Sequence, residues 1–370
     1  MVHSNLIICG SIALDRIMNF SGRYSELINP EKLHVLSVSI LLDKIEETRG
    51  GSGANIAYYA AQLGDKPILF DSAGKDAANY IKELAAGGVN TKFVHESSLP
   101  TASFNVMTDM DDNQIGGFYP GAMSDASSLS LRSLPGITPS SDQPFASKIT
   151  SGSVQRTKGT PLSPEAILAP KSSGRTDGVI PGRLLKQWDG QDVVVCISAH
   201  DPKSMRAQTE ECKSLGLRLI YDPGQQVSNV AGEDLQAGVD AAEVLIVNDY
   251  ELGAIVKKTG LTPDAIKAKV PIVITTFGKH GSVIEGASLP APLSILATKP
   301  AKVVDPTGAG DAFRAGFLYG YLRQWGLLAC GQLGSTIASF VVEQHGTQHT
   351  LDLKAVQARH YETFNQEIQL

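Results

Sequence analysis

The chain is poor in the features that build redox, metal and membrane proteins. It has only four cysteines, Cys9, Cys196, Cys212 and Cys330, and no C-x-x-C pair among them. That spacing excludes a zinc ribbon and a dithiol redox motif, and leaves buried free thiols as the expectation. The eight histidines do not cluster as ligands: His345 and His349 are four apart but lack the Glu of H-E-x-x-H. No run of about 18 apolar residues occurs, so no membrane-spanning helix is expected. The first ten residues have no basic stretch followed by a long apolar run, so a secretory leader is not expected and the cytoplasm is the expected compartment. A basic excess is missing too. The net charge of -6 argues against a nucleic-acid partner. Walker A is absent, because Gly74-Lys75 runs into Asp76 and Gly278-Lys279 into His280.

What is present is an alternation. Short apolar runs at 6–9, 68–70, 193–197, 217–221, 244–247 and 270–275 are separated by amphipathic stretches such as 54–63, 77–86 and 202–215. Such alternation predicts an α/β fold, a mostly parallel sheet covered by helices, with ligands at the carboxyl ends of the strands. Two stretches interrupt it. Residues 16–49 include 33–42, which is rich in leucine and β-branched residues and is expected to pair with 102–108 in a small accessory sheet; 16–49 and 102–120 would form a lid. Residues 130–182 are more than half Ser, Thr, Pro and Gly, with six Lys or Arg against three Asp or Glu. That composition predicts a disordered insertion, without a core of its own, inside one domain spanning 1–370.

Two glycine-rich segments carry the chemistry. In Asp305-Pro-Thr-Gly-Ala-Gly-Asp311-Ala-Phe, a strand-like 301–304 leads into Gly308, Ala309 and Gly310, and then into a helical pattern. Bare amides at a helix N-terminus form an anion hole, and Asp311 in the first turn is placed to accept a hydroxyl proton. Taken alone, this segment reads equally as a glycine turn with an acidic helix start. The second segment, Gly50-Gly51-Ser-Gly-Ala-Asn55, opens another helix, and Gly10-Ser11-Ile-Ala-Leu-Asp15 puts a carboxylate just past a strand. Asp and Asn in such places suit vicinal sugar hydroxyls.

Together these segments resemble the two signatures of the PfkB/ribokinase family of carbohydrate kinases. The resemblance covers nearly the whole chain outside 130–182, and within the family it is most like bacterial-type adenosine kinases. It implies a ribokinase-like α/β/α sandwich with a small β lid, and transfer of the γ-phosphoryl group of ATP to a hydroxyl with Asp311 as base. The stretch Asn248-Asp-Tyr-Glu251 resembles the element that positions phosphate and Mg2+, and Thr275-Thr276-Phe-Gly278-Lys-His-Gly281 resembles the border of the ATP site. A monovalent cation, K+, beside Asp305 and Thr307 is a further expectation. Ser11, Asp15, Gly50, Gly51 and Asn55 would hold the acceptor. Phe104 and Phe118 could sandwich a purine, and Gln225 and Gln226 could bond its edge, although Phe residues in a core and exposed Gln residues are the plainer reading of residue type alone. Gly224 stands where a small polar residue is expected. The leading expectation is an adenosine kinase making AMP. Kinases of free ribose or fructose, and a non-catalytic nucleotide-binding module, stay open beside it. Apolar surface in 33–42 also predicts a homodimer through the lid sheet.

Overall fold

The computed structural model describes residues 6–35, 37–111, 113–134, 137 and 193–370. Most of the expected insertion therefore lies outside the described residues.

Strands that are apolar along their length cannot leave either face in water, and they assemble into the buried sheet. β1 (Leu6–Cys9) and β9 (Val194–Ile197) are wholly apolar, and β10 (Arg218–Tyr221) and β11 (Val244–Asn248) are so but for Arg218 at the start of one and Asn248 at the end of the other. β12 (Ile272–Thr276) and the short β4 (Ile68–Leu69) pair parallel beside them, and β13 (Ser282–Glu285) and β14 (Leu293–Ile295) extend the sheet antiparallel. The eight strands run in the order β14-β13-β12-β11-β10-β9-β1-β4. Successive side chains point to opposite faces. Ile8, Cys196, Ile220 and Ile246 accordingly enter one core, and Ile7, Val195, Leu219 and Leu245 the other. The first face is covered by α2 (Ser52–Gln62), α3 (Ala78–Ala86), α8 (Ala309–Leu322), α9 (Leu327–Val341) and α10 (Leu353–Phe364). The second is covered by α4 (Pro202–Leu215), α5 (Gly232–Ala241), α6 (Asp249–Thr259) and α7 (Pro263–Lys269). The α/β sandwich predicted from the alternation is thus the observed fold.

Above the carboxyl ends of β1 and β9–β12 stands a second sheet. β2 (Ala13–Asn19) pairs antiparallel with β3 (Lys44–Gly50) and parallel with β7 (Ser103–Thr108), and β7 pairs antiparallel with β8 (Gln114–Tyr119). The accessory sheet exists, but 33–42 is not in it. That stretch holds the end of a 3₁₀ turn, Pro30–Val35, and no strand among its described residues. Val38 and Leu41 are exposed, so its apolar residues do not alternate between a buried and an open face. The turn Tyr24–Leu27 (α1) precedes it, and a small pair, β5 (Ser72–Gly74) with β6 (His95–Ser97), flanks the lid.

Two further expectations are corrected. Residues 301–304 form no strand: Val304 N–H bonds Val342 O at 2.7 Å, and Val303 lies open to solvent. The stretch 130–182 also begins inside the fold. Leu131, Leu134 and Ile137 are buried in the second core, and the Leu131 amide bonds Glu211 Oε2 at 2.7 Å. Three well-spaced apolar residues were enough to seat this start, which an average over the segment conceals. Among the described residues no helix is long and apolar enough to cross a membrane.

Candidate active site

The sheet's carboxyl edge brings the chemistry-bearing residues together. Asp222 follows β10, Asn248 ends β11 and Thr276 ends β12. The entries of α2 and α8 meet them from the other face. Gly51 has φ +93°, and a Cβ there would stand 2.3 Å from Ser11 O, so only glycine fits between β1 and the helix. Gly308, the residue before α8, has φ +80°. Packing of α2 against α8 then joins Asn55 Nδ2 to Asp311 Oδ2 at 2.8 Å. Asn55 is oriented from behind, because its Oδ1 accepts from Thr347 Oγ1 and Gln348 Nε2, each at 3.0 Å.

Asp311 sits at the floor of a cleft of about 820 Å3. Burial pushes its carboxyl up to about 6, against the charge of Arg314 and the Asn55 hydrogen bond; Asp222 and Glu251 add to the rise. Around it the turn leaves amides free. Ala312 N–H bonds Gly308 O at 3.0 Å, and Ala309 N–H closes onto Pro306 O at 3.3 Å. The Gly310 and Asp311 amides have no backbone partner among the described residues, as expected for a first helical turn. Asp305 accepts from the Thr307 amide at 2.9 Å and the Gly346 amide at 3.1 Å. Burial works against its ionisation, yet these bonds hold its carboxyl below the usual range.

At the lid end, Asp15 Oδ1 accepts the Phe104 amide at 3.3 Å, and burial raises its carboxyl. A Cβ on Gly50 would lie 2.4 Å from Asp15 Oδ2, so this glycine makes room for the carboxylate. Phe104 and Phe118 are direct cross-strand partners and both line the cleft. They stand side by side on one face of the lid. A flat ring can therefore stack on the face they share. Gln225 and Gln226 line the same cleft, and Gly224 has φ +50°, which a polar residue in its place would adopt only under strain.

At the far end, Asn248 and Glu251 form a reciprocal cap on α6. The Glu251 amide bonds Asn248 Oδ1 at 2.7 Å and the Asn248 amide bonds Glu251 Oε2 at 2.8 Å. Burial raises the Glu251 carboxyl. Thr276 and Gly278 line the cleft there. Gly50, Thr275, Gly281, Asp305 and Ala309 do not. Gly281, with φ +90°, closes the turn between β12 and β13 against Ile295 O. Ser198, Asp222, Arg314 and Thr347 also line the cleft, and the sequence assigns none of them a role, although Asp222 and Arg314 lie within segments that carry the family resemblance. Arg314 was legible in principle, since it lies three residues after Asp311 and so on the same helix face. Ser198 and Thr347 arrive through tertiary packing and have no local signal. Among the described residues no group of three His, Cys, Asp or Glu side chains could hold a metal ion.

The pattern of pfkB family carbohydrate kinases matches residues 17–134 and 185–354. A nucleoside kinase of Methanothermobacter thermautotrophicus is 28% identical over 331 residues, 88% of each chain. A nucleoside kinase of Burkholderia thailandensis, solved in complex with inosine, superposes with a TM-score of 0.73 at 26% identity, covering 98% of this chain and 100% of that one. The nucleoside kinase of Methanocaldococcus jannaschii, an archaeal member of the ribokinase family, gives 0.72 at 25% identity, covering 98% of this chain and 100% of that one. The chain belongs to the pfkB family of carbohydrate kinases, with a ribokinase-like fold, and is a phosphotransferase acting on a hydroxyl acceptor.

Proposed function

We propose that the chain transfers the γ-phosphoryl group of ATP to the 5′-hydroxyl of a nucleoside, with adenosine as the leading acceptor and AMP as product. One observation carries this reading. A single cleft joins an aromatic lid face (Phe104, Phe118), two amides (Gln225, Gln226), the carboxylate of Asp15 and the carboxylate of Asp311. The aromatic face and the amides suit a base, and Asp15 suits ribose hydroxyls. A free sugar has no flat aromatic ring to lay on that face. The nucleoside kinases among the relatives support the same class.

In this reading Asp311 accepts the 5′-hydroxyl proton as that oxygen attacks the γ-phosphorus in line. Asn55 holds the carboxylate in place, and the Gly310 and Asp311 amides take the charge on the transferred group, with Gly308 and Ala309 shaping the turn. ATP lies toward Thr276, Gly278 and Asn248. Mg2+ enters on the nucleotide, held by the phosphates and its own waters, and Asn248 and Glu251 act on it through water. A K+ ion beside Asp305 and Thr307 belongs to the same proposal, and activity with and without added K+ tests it. The exposed strand β8, with Ile115 and Tyr119, supports a homodimer through the lid, and light scattering at micromolar concentration tests it by mass.

The central test is a coupled assay with MgATP across adenosine, inosine, cytidine, ribose and fructose. The reading expects higher kcat/KM for nucleosides than for free sugars. A preference for ribose or fructose over every nucleoside would make the chain a sugar kinase. No turnover on any of them would point to the non-catalytic module.

A further inference from the structure

Among the described residues Arg314 is the one cationic side chain lining the cleft, the reading above does not use it, and three features single it out. Its guanidinium is nine-tenths buried and lies among three carboxylates. Nη2 bonds Asp222 Oδ1, which is fixed in turn because Asp222 Oδ2 accepts from Ser198 Oγ at 2.7 Å. Glu251 Oε2 is 3.9 Å from the same nitrogen. Among the described residues the remaining donors are uncommitted: Nε is buried without a partner, and Nη1 makes no hydrogen bond. A guanidinium offers five N–H donors, and leaving most of them unpaired in a buried place is costly unless a ligand arrives. Nη1 also packs directly on the turn. A Cβ on Gly310 would lie 2.6 Å from it, so glycine at this position makes room for the guanidinium rather than for an unusual φ.

Resting on the kinase reading, we propose that Arg314, anchored by Asp222, is a positioning residue of phosphoryl transfer: its charge lies beneath the Gly308–Asp311 turn, strengthens the anion hole and holds Asp311 ready to act. Helix geometry brings this about. The side chain of Arg314 leans toward the N-terminus of α8, back over the turn that carries Asp311. The positive end of the helix and the guanidinium therefore converge on one spot, where the transferred group would develop charge. Asp222 belongs to the segment that continues into Gln225 and Gln226, so one ion pair ties the acceptor-recognising turn to the catalytic helix.

The charged groups facing Asp311 are Arg314 on its own helix, Asp222 after β10 and Glu251 on α6, with Asn55 as hydrogen-bond donor. Tyr59, Tyr80 and Cys196 stand behind and are held neutral by burial. Arg314 acts on the Asp311 carboxyl in one direction and Asp222 in the other. This opposition supplies the test. The acid limb of the kcat/KM profile is measured for the wild type, Arg314→Gln, Arg314→Lys and Asp222→Asn, with Tm for each. Arg314→Gln should lower kcat by roughly 10²–10³-fold, as for loss of an anion-hole donor, and move the limb to higher pH. Asp222→Asn should move the limb to lower pH, and Arg314→Lys should recover part of both kcat and the wild-type limb. Mere loosening of the fold would move both limbs the same way and would overturn the proposal. So would a folded Arg314→Gln enzyme with a wild-type limb and near-wild-type kcat. If Arg314→Gln does not fold, the Asp222→Asn and Arg314→Lys limbs decide by the same signs. A wild-type chain that phosphorylates nothing overturns the kinase reading and this inference with it; normal turnover with unmoved limbs overturns this inference alone.

Discussion

The two sheets of this molecule meet water differently. In the central sheet, β1, β9 and β10 are buried at every residue, and each face has its own core. In the lid, every residue of β8 is exposed and most of β3 is as well. The first sheet is held by its own apolar burial. The second has little buried surface and must gain order from what it closes on. The residues proposed for phosphoryl transfer stand on the first sheet and its helices, and those proposed to grip the acceptor base stand partly on the second. The proposal thus puts chemistry on the more buried sheet and part of recognition on the more exposed one.

The sharpest way to break this division is at Asp311. Asp311→Asn should lower kcat by about 10²–10⁴-fold, the contribution of a positioned base, while ATP affinity stays close to wild type because the turn amides remain. Steady-state kinetics with nucleotide titration checks both. A kcat within tenfold of wild type would take the base away from Asp311.

Stability offers the next contrast. Ile246, fully buried in β11, should cost about 2–5 kcal/mol when changed to Ala. Ile115, exposed in β8, should change stability by no more than about 0.5 kcal/mol. Denaturant unfolding of the two variants compares the sheets directly, and equal losses would mean that the lid is not the weaker element.

A smaller effect separates recognition from chemistry. Asp15→Ala should weaken acceptor binding by about 1–3 kcal/mol, the cost of leaving polar groups unpaired, and so raise the acceptor KM far more than the ATP KM. If the ATP KM moves instead, the acceptor does not lie beneath the lid.

How legible each sheet is in the sequence follows the same physics. The central strands announce themselves because burial on both faces demands unbroken apolar runs such as Leu6–Cys9 and Val194–Ile197. Both glycine-rich entries are legible because a steric need leaves one residue type, as at Gly51 and Gly308. The lid strands β2 and β3 carry Asp15, Arg16, Glu46 and Glu47, a mixture that gives no clear period, and the apolar 33–42 drew the expectation away from them. Leu131 and Ile137 were masked by the Ser and Pro around them, although burial depends on single residues and not on averages. The Arg314–Asp222 pair spans 92 positions, and no local pattern announces such a contact.

The most direct measurement of the account is the pH dependence of wild-type kcat/KM with the preferred acceptor. A base works only when deprotonated, so activity must fall as pH drops through its pKa. With the Asp311 carboxyl pushed up to about 6 by burial, the account predicts a tenfold loss per pH unit below about 6. An acid limb near the ordinary carboxylate range, about 4, would contradict it by showing that the group giving up activity is not this buried aspartate.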